Sequence, residues 1–503
     1  MEGLMIRLRH ACIAVLFAAC SPVSDSSNVP DAAVDAPNTP LMIVSSAPNN
    51  NAKSASILNP VSVFVNKKLD PATVNATTVK LRYGYAEGWY GLYGTVSYDE
   101  ASLKISFVPG QPLYTGVFFE VVLDGVKSAD GSETLSNQRI RFSSIVNYQK
   151  RQTSFQATGK VSSWYEYMLD MNGRQTASMG HQSAGLDGIW FTMDDPKGCC
   201  KYTQAYDAEG RNTEYRYYGN MGPDGQPWTA DDVLTSFQKY NYDATSGQMT
   251  TIDVFGGGPD GVLGTADDVI TAYQSYSYDS NGYVTGYFYF TSAGPDGAWH
   301  TADDRGQPNQ QWGDWIVDSY GNVTKYIYRT FGADGLPKTA DDVINSVSEQ
   351  MYDQYGYQTR SIYYNTAGAD GMWNTADDVV GGYSKTDFDA DHLPIRYWNY
   401  NATSVPPGIG PDNMWFTADD VPSYLSTNSF NELKLSTEQM GYQDKGPDGV
   451  FNTADDVASY RSTSEYESNG ARVNYTGYNP GPDGKYKTAD DTISYKSEYD
   501  LEH

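Results

Sequence analysis

The sequence predicts an all-β chain, built as a β-sandwich followed by a tandem array of β-hairpins. Composition is the first reason: 503 residues include 42 tyrosines and 48 glycines but only 34 lysines and arginines, which suits aromatic strands with many turns better than helices. Short β-rich runs then alternate with Pro, Gly, Asn and Asp turns across residues 41–145. Beyond residue 147 the chain repeats itself with a unit of about 36 residues. At this length a single hydrophobic core does not suffice, so separate domains or an extended array are expected in any case.

Residues 1–20 read as an export signal: Arg7, Arg9 and His10 precede an apolar run, residues 11–19, that is too short to span a bilayer. Phe17-Ala18-Ala19-Cys20 resembles a bacterial lipoprotein signal. The resemblance implies that Cys20 becomes the lipidated first residue of an exported chain held at the membrane, and Ser21 resembles the outer-membrane sorting pattern. Secretion without a lipid is the alternative. Residues 21–40, rich in Ser, Pro, Asp and Ala, read as an extended tether. With Cys12 in the signal and Cys20 lipidated, only the adjacent Cys199 and Cys200 remain, so there is no disulfide framework, and no further ligands follow a zinc spacing.

Runs such as Val61-Ser62-Val63-Phe64-Val65, Lys104-Ile105-Ser106-Phe107-Val108 and Phe118-Phe119-Glu120-Val121-Val122-Leu123 place a sandwich over residues 41–145. This stretch resembles the Ig-like domain of bacterial S-layer and other surface proteins at Ser46-Ala47-Pro48, Leu69-Asp70-Pro71-Ala72-Thr73-Val74, Phe107-Val108-Pro109 and Arg141-Phe142-Ser143. The resemblance implies a spacer or weak binding module with no enzymatic role.

Residues 148–503 hold about nine units with two marks. The first, Tyr-Asp-x-x-Gly, appears at Tyr206-Asp207, Tyr278-Asp279 and Tyr352-Asp353, with looser copies at Asp170, Asp243, Asp318, Asp389, Asn431 and Glu467. Placed between aromatic runs, it is a hairpin turn signal. It resembles the YD (RHS-type) repeats of bacterial surface and toxin-delivery proteins, which implies strand-turn-strand units coiled into a long sheet. The unit here is longer, because each carries an inserted acidic loop. No unit can bury its aromatic face alone, so an open solenoid or spiral sheet is expected, with a β-propeller as the alternative.

The second mark is the loop itself, Gly-x-Asp-Gly-x-x-x-Thr-Ala-Asp-Asp in its commonest form. Its leading aspartates are Asp187, Asp224, Asp260, Asp296, Asp334, Asp370, Asp412, Asp448 and Asp483. Its closing pairs are Asp194-Asp195, Asp231-Asp232, Asp267-Asp268, Asp303-Asp304, Asp341-Asp342, Asp377-Asp378, Asp419-Asp420, Asp455-Asp456 and Asp490-Asp491. The spacing is the same in all nine copies, so the loop has a fixed geometry to keep. Three carboxylates, a threonine hydroxyl and backbone carbonyls within nine residues are the hard oxygens that calcium prefers, which makes these aspartates candidate ligands and calcium the expected structural cofactor. A metal-free alternative treats Thr229 as a helix N-cap with Asp232 at the third helical position, and Asp224-Gly225 as a plain turn. Three residues after each leading aspartate stands Trp190, Pro227, Leu263, Trp299, Pro337, Trp373, Trp415, Phe451 or Tyr486, read as an anchor pinning the loop to the sheet.

A formal charge of −28 excludes nucleic acid as a partner. The five histidines form no ligand spacing, and no nucleophile motif or phosphate-binding glycine loop occurs. An active site is a constellation that occurs once, whereas these acidic groups recur nine times. The function expected is therefore non-catalytic: a cell-surface lipoprotein in adhesion, envelope architecture or display, meeting the membrane through its lipid and a surface glycan or protein as ligand. A carbohydrate-binding surface module is the alternative.

Overall fold

A computed structural model describes residues 39–500 apart from residues 86–87, 115, 145–147, 157, 171–174, 199–200, 209–210, 355, 374 and 405–407. The signal, Cys20, most of the tether and Cys199-Cys200 lie outside the described residues. The described residues are all-β, with no α-helix among them and one 3-10 turn at Pro71–Thr73.

Residues 43–144 form two main sheets and a small two-stranded one, Val126–Lys127 with Thr134–Leu135. Of the main sheets, one runs Ile43–Ala47, Val61–Val65, Lys104–Pro109, Gly94–Asp99, and the other Ala52–Ala55, Gln138–Ser144, Phe118–Leu123, Val79–Tyr85, Gly88–Leu92. Alternation builds the core between them: Val61, Val63 and Val65 from the first sheet and Phe119, Val121 and Leu123 from the second are all buried in one apolar cluster.

The repeat region corrects the expected architecture. An Ig-like sandwich leading into an open solenoid or spiral sheet is not what forms, nor is a propeller. Twenty antiparallel strands, from Tyr148–Phe155 to Thr492–Asp500, add edge to edge and close into one barrel. The seam pairs these first and last strands, with Gln152 opposite Ser497 and Thr153 opposite Lys496. Arg151 and Glu498 form an ion pair across it. Successive hairpins hydrogen-bond side by side instead of stacking face on face, so the sheet has two free edges until it curls round and pairs them.

Twenty strands about 4.8 Å apart and tilted by about 40° give a wall about 40 Å across, too wide for side chains to fill. Burial is partial along parts of the wall, although Gln175–His181 and Val379–Phe388 bury positions on both faces. Strand Asn212–Asn220 has no buried position on either face, and Pro394–Asn401 has one. One face of the wall is neutral: strand-to-strand register runs Tyr167, Ser178, Tyr202, Tyr217, Ser236 and again Tyr287, Gly313, Tyr328, Ser346. The other carries ion pairs such as Lys325–Glu349 at 2.7 Å and Arg461–Glu438 at 2.9 Å.

The Tyr-Asp motif explains how hairpins are closed and joined. Asp279 Oδ1 accepts the Tyr283 N–H at 2.9 Å, and Asp318, Asp353, Asp389 and Asn431 accept at the same place in their turns. Gly282 has φ 85°, a left-handed conformation that costs glycine nothing. The tyrosine acts between hairpins. Tyr206, Tyr242, Tyr278, Tyr352 and Tyr466 each donate their hydroxyl to a backbone carbonyl near the turn of the preceding hairpin: Gln175, Asn212, Met249, Val323 and Ser436, at 2.6 to 3.1 Å.

An up-and-down barrel has two rims, and here the nine acidic loops share one with the short turn that joins the first two barrel strands, while the Asp-x-x-Gly-type turns lie on the other. The N-terminal unit sits on the turn rim. Arg82 donates to the Asn281 carbonyl, Arg141 to that of Ser246, Tyr93 to Asp318, and Tyr357 to the carbonyl of Gly110. Leu435 packs on the N-terminal core, and Gly470 lies against Ile57. These turns span more than half of the circumference, so the unit lies across the mouth, not beside it. Glu120, fully buried, pairs with both Arg82 and Arg141 and holds their guanidinium groups toward the rim.

Removing the hydroxyl in Tyr278→Phe deletes one inter-hairpin hydrogen bond, and denaturant unfolding should show a loss of about 1 kcal/mol. An unchanged midpoint would mean that the tyrosine contributes only its ring.

Candidate functional site

Each acidic loop joins the second strand of one hairpin to the first strand of the next, and its three aspartates have three different jobs. The leading aspartate turns the chain: Asp296 Oδ1 accepts the N–H two residues on, from Ala298, at 2.7 Å, and all nine copies do the same at 2.7 or 2.8 Å. The first aspartate of the pair closes the loop. Asp303 Oδ2 accepts the Asp296 N–H at 3.1 Å, while its Oδ1 accepts the Thr301 hydroxyl at 2.7 Å, and the other loops repeat both bonds. The second tucks the loop onto the wall. Asp304 Oδ2 accepts the N–H of His300 at 2.7 Å and the hydroxyl of Tyr273 at 2.7 Å.

The wall-side partner of that second aspartate varies from loop to loop. It is Trp164 Nε1 for Asp195 at 2.8 Å, Lys201 for Asp232 at 2.9 Å, Tyr383 for Asp420 at 2.8 Å and Arg461 for Asp491 at 3.2 Å. With Trp, Lys, Tyr and Arg all serving, no motif could reveal these partners. Sequence reasoning also missed the residue four after the leading aspartate, which is left-handed in Phe191, Trp228, His300, Lys338, Phe416, Asn452 and Lys487. The strain is tolerated because the second aspartate holds that residue's N–H in most copies.

The anchor positions pack as their aromatic character suggests. Trp299 stands edge-on to Tyr273 and Trp415 edge-on to Tyr383, at 5.9 and 5.8 Å, while Phe451 is buried. The helix-cap reading of Thr229 and Asp232 is corrected: the loop makes a single i→i+3 turn, as in Asp304 N–H to the Thr301 carbonyl, and Val233–Tyr242 then leaves as a strand. A β-branched residue directly after the pair favours that outcome.

Electrostatics separate the three aspartates as well. The first of each pair, Asp194, Asp231, Asp267, Asp303, Asp341, Asp377, Asp419, Asp455 and Asp490, is held below the ordinary carboxylate value by the threonine hydroxyl and then by the leading aspartate's N–H. Burial and the Asp304 carboxylate push the Tyr273 phenol far above its usual range, and burial with Asp420 does the same to Tyr383.

A second feature is a cleft of about 360 Å³ where the N-terminal unit meets the turn rim. Tyr83, Tyr90, Tyr114, Tyr326 and Tyr352 line it together with the amides of Gln111 and Gln358, and no charged side chain does. Tyr326 and Gln358 also line an adjoining, more open hollow along the neutral wall face.

No protein-family model and no curated protein matches the chain. Among solved structures it is similar to TcdB2-TccC3, at 14% identity over 88% of this chain and 21% of that one, with a TM-score of 0.27. It is also similar to a porin-like protein from Bacteroides uniformis, at 9% identity over 71% of this chain and 96% of that one, with a TM-score of 0.24. The N-terminal part of the bacterial S-layer protein SbsC is a third, at 12% identity over 43% of each chain, with a TM-score of 0.18. The chain spans about a fifth of the length of the TcdB2-TccC3 structures it matches.

A carboxyl whose pKa is depressed in the fold stabilises it above the unfolded value and stops doing so as pH falls through the folded one. Nine such groups should make thermal stability nearly flat between about pH 5 and 7 and steeply lower below about pH 4. A melting temperature that stayed level down to about pH 3 would show that the loop carboxylates hold nothing together.

Proposed function

We propose that this chain is a non-catalytic cell-surface protein, lipid-anchored at Cys20, that acts in envelope architecture, adhesion or display as a stiff hollow holder. The observation that carries the reading is the use made of the acidic groups. Nine loops repeat one design in which the carboxylates bind their own backbone, and in five of them the wall beneath as well, which is a scaffold's use of charge. The anchor, the tether and the N-terminal unit follow one another along the chain, and that unit covers the turn rim. The acidic rim is therefore the end that faces away from the membrane in this reading.

Fractionation of producing cells, combined with protease treatment of intact cells, tests it. The unaltered protein should sediment with membranes and be cut from outside, and Cys20→Ser should appear in the soluble or released fraction. Membrane retention of Cys20→Ser, or protection of the unaltered protein until lysis, would contradict the proposal.

A carbohydrate-binding role is the second reading, and the tyrosine cleft is what favours it. Flat aromatic faces beside neutral amides match the apolar ring faces and hydroxyls of an uncharged sugar, and the cleft's volume lies in the range of small-ligand sites. On a glycan array this reading predicts binding that Tyr326→Ala reduces tenfold or more, about 1.4 kcal/mol; an array with no binder would leave only the architectural role.

A further inference from the structure

We propose that the acidic loops, all but the one ending in Asp342, are calcium sites formed where three aspartate Oδ1 atoms and one backbone carbonyl meet at the loop threonine. The loop ending in Asp491 shows the arrangement in full. Around Thr488 Oγ1 stand Asp490 Oδ1 at 2.8 Å, the Lys485 carbonyl at 3.1 Å, and Asp483 Oδ1 and Asp491 Oδ1 at 3.4 Å each. Thr375 is surrounded in the same way, at 2.8, 2.9, 3.4 and 3.3 Å. A hydroxyl has one proton, so at most one of these four acceptors receives a hydrogen bond.

An independent observation comes from the second aspartate of the pair. Its Oδ2 is taken up by backbone N–H groups, and in Asp232 and Asp420 also by a wall side chain, but in Asp232, Asp268, Asp420 and Asp456 the other oxygen, Oδ1, is buried with no hydrogen-bond partner. The Asp232 side chain is only 5% exposed, and its Lys201 partner lies on Oδ2. In the same loop position, Oδ1 of Asp195, Asp304 and Asp491 stands 3.3 or 3.4 Å from the threonine oxygen, so in those copies it is directed into the loop. A buried carboxylate oxygen without a donor is costly, and a cation among these oxygens removes the cost. The loop ending in Asp342 is the exception, because there Oδ1 accepts the Gly332 N–H at 3.1 Å.

The donor set selects the ion. All ligands are hard oxygens, with no nitrogen or sulfur, which excludes the zinc pattern. Around an ion at about 2.4 Å, adjacent ligands stand about 3.4 Å apart in six-fold coordination and closer in seven- or eight-fold, which is the spacing about Thr488 and Thr375. The oxygens converge on the hydroxyl and not on a preformed centre, and among the described residues no three acidic groups already stand at metal-holding spacing. Binding therefore needs a small opening of the loop, which suits calcium's tolerant shell and not the rigid octahedron of magnesium. Nine carboxylate triads also concentrate negative charge on one rim of a chain at −28, where bound divalent ions would relieve repulsion.

The test is calcium titration of the chelator-treated full chain by calorimetry, alongside melting curves in calcium, magnesium and chelator. The expected result is about eight ions per chain with dissociation constants on the order of 0.1 to 1 mM, a higher melting temperature in calcium, and little effect of magnesium. Replacing Asp232→Asn, Asp268→Asn, Asp420→Asn and Asp456→Asn together should remove half of the sites. No binding up to about 10 mM calcium, or an undiminished count in the folded quadruple variant, would overturn the proposal. Should that variant not fold, the melting curves of the unaltered chain decide: coincident curves in calcium and chelator overturn it.

Discussion

The rest of the structure depends on closure of the wall. An antiparallel sheet of many strands leaves two edges with unpaired N–H and C=O groups, and such edges recruit other chains. Here the edges are the first and last strands of the repeat region, and they satisfy each other, with Arg151 and Glu498 paired across residues 347 positions apart. Because closure is a property of the whole ring, no single repeat has to be stable alone. Half-buried strands that would be marginal in an open sheet are each held on both sides.

Closure also sets the division of labour between the two rims. Two-strand units can vary in their faces as long as both ends keep their geometry, so the invariant residues sit at the ends. Asx-type turns and tyrosine clasps fix one rim, onto which the N-terminal unit docks through Arg82, Arg141, Tyr93 and Tyr357. At the other rim, threonine and paired aspartates fix the connection between hairpins. At both rims polar side chains satisfy backbone groups that the ladder leaves unpaired.

What could be read from the sequence was local. Asp279-x-x-Gly282 between aromatic runs gives the hairpin, and the constant interval between loops gives the repeat, because both are set by residues a few positions apart. The tyrosine's partner, a carbonyl about thirty residues earlier, was not legible, since any residue type supplies a carbonyl. Closure was not legible either: it depends on strand number, tilt and the seam, and a solenoid would carry the same alternation. The loop aspartates were found as a group, but a sequence weighs them alike. Only the geometry separates the turn-forming Asp296, the loop-closing Asp303 and the wall-bound Asp304. The helix-cap reading failed at Val233, where a β-branched residue starts a strand in the register of the next hairpin.

Amide hydrogen exchange at the seam tests the closed wall most directly. In a closed barrel the N–H groups of Tyr148–Phe155 and Thr492–Asp500 that face each other are laddered, and their protection should match that of interior pairs such as Val269–Tyr278 with Val284–Phe290. Exchange at those seam amides as fast as in exposed loops, with the interior strands still protected, would contradict closure and show the array to be an open sheet.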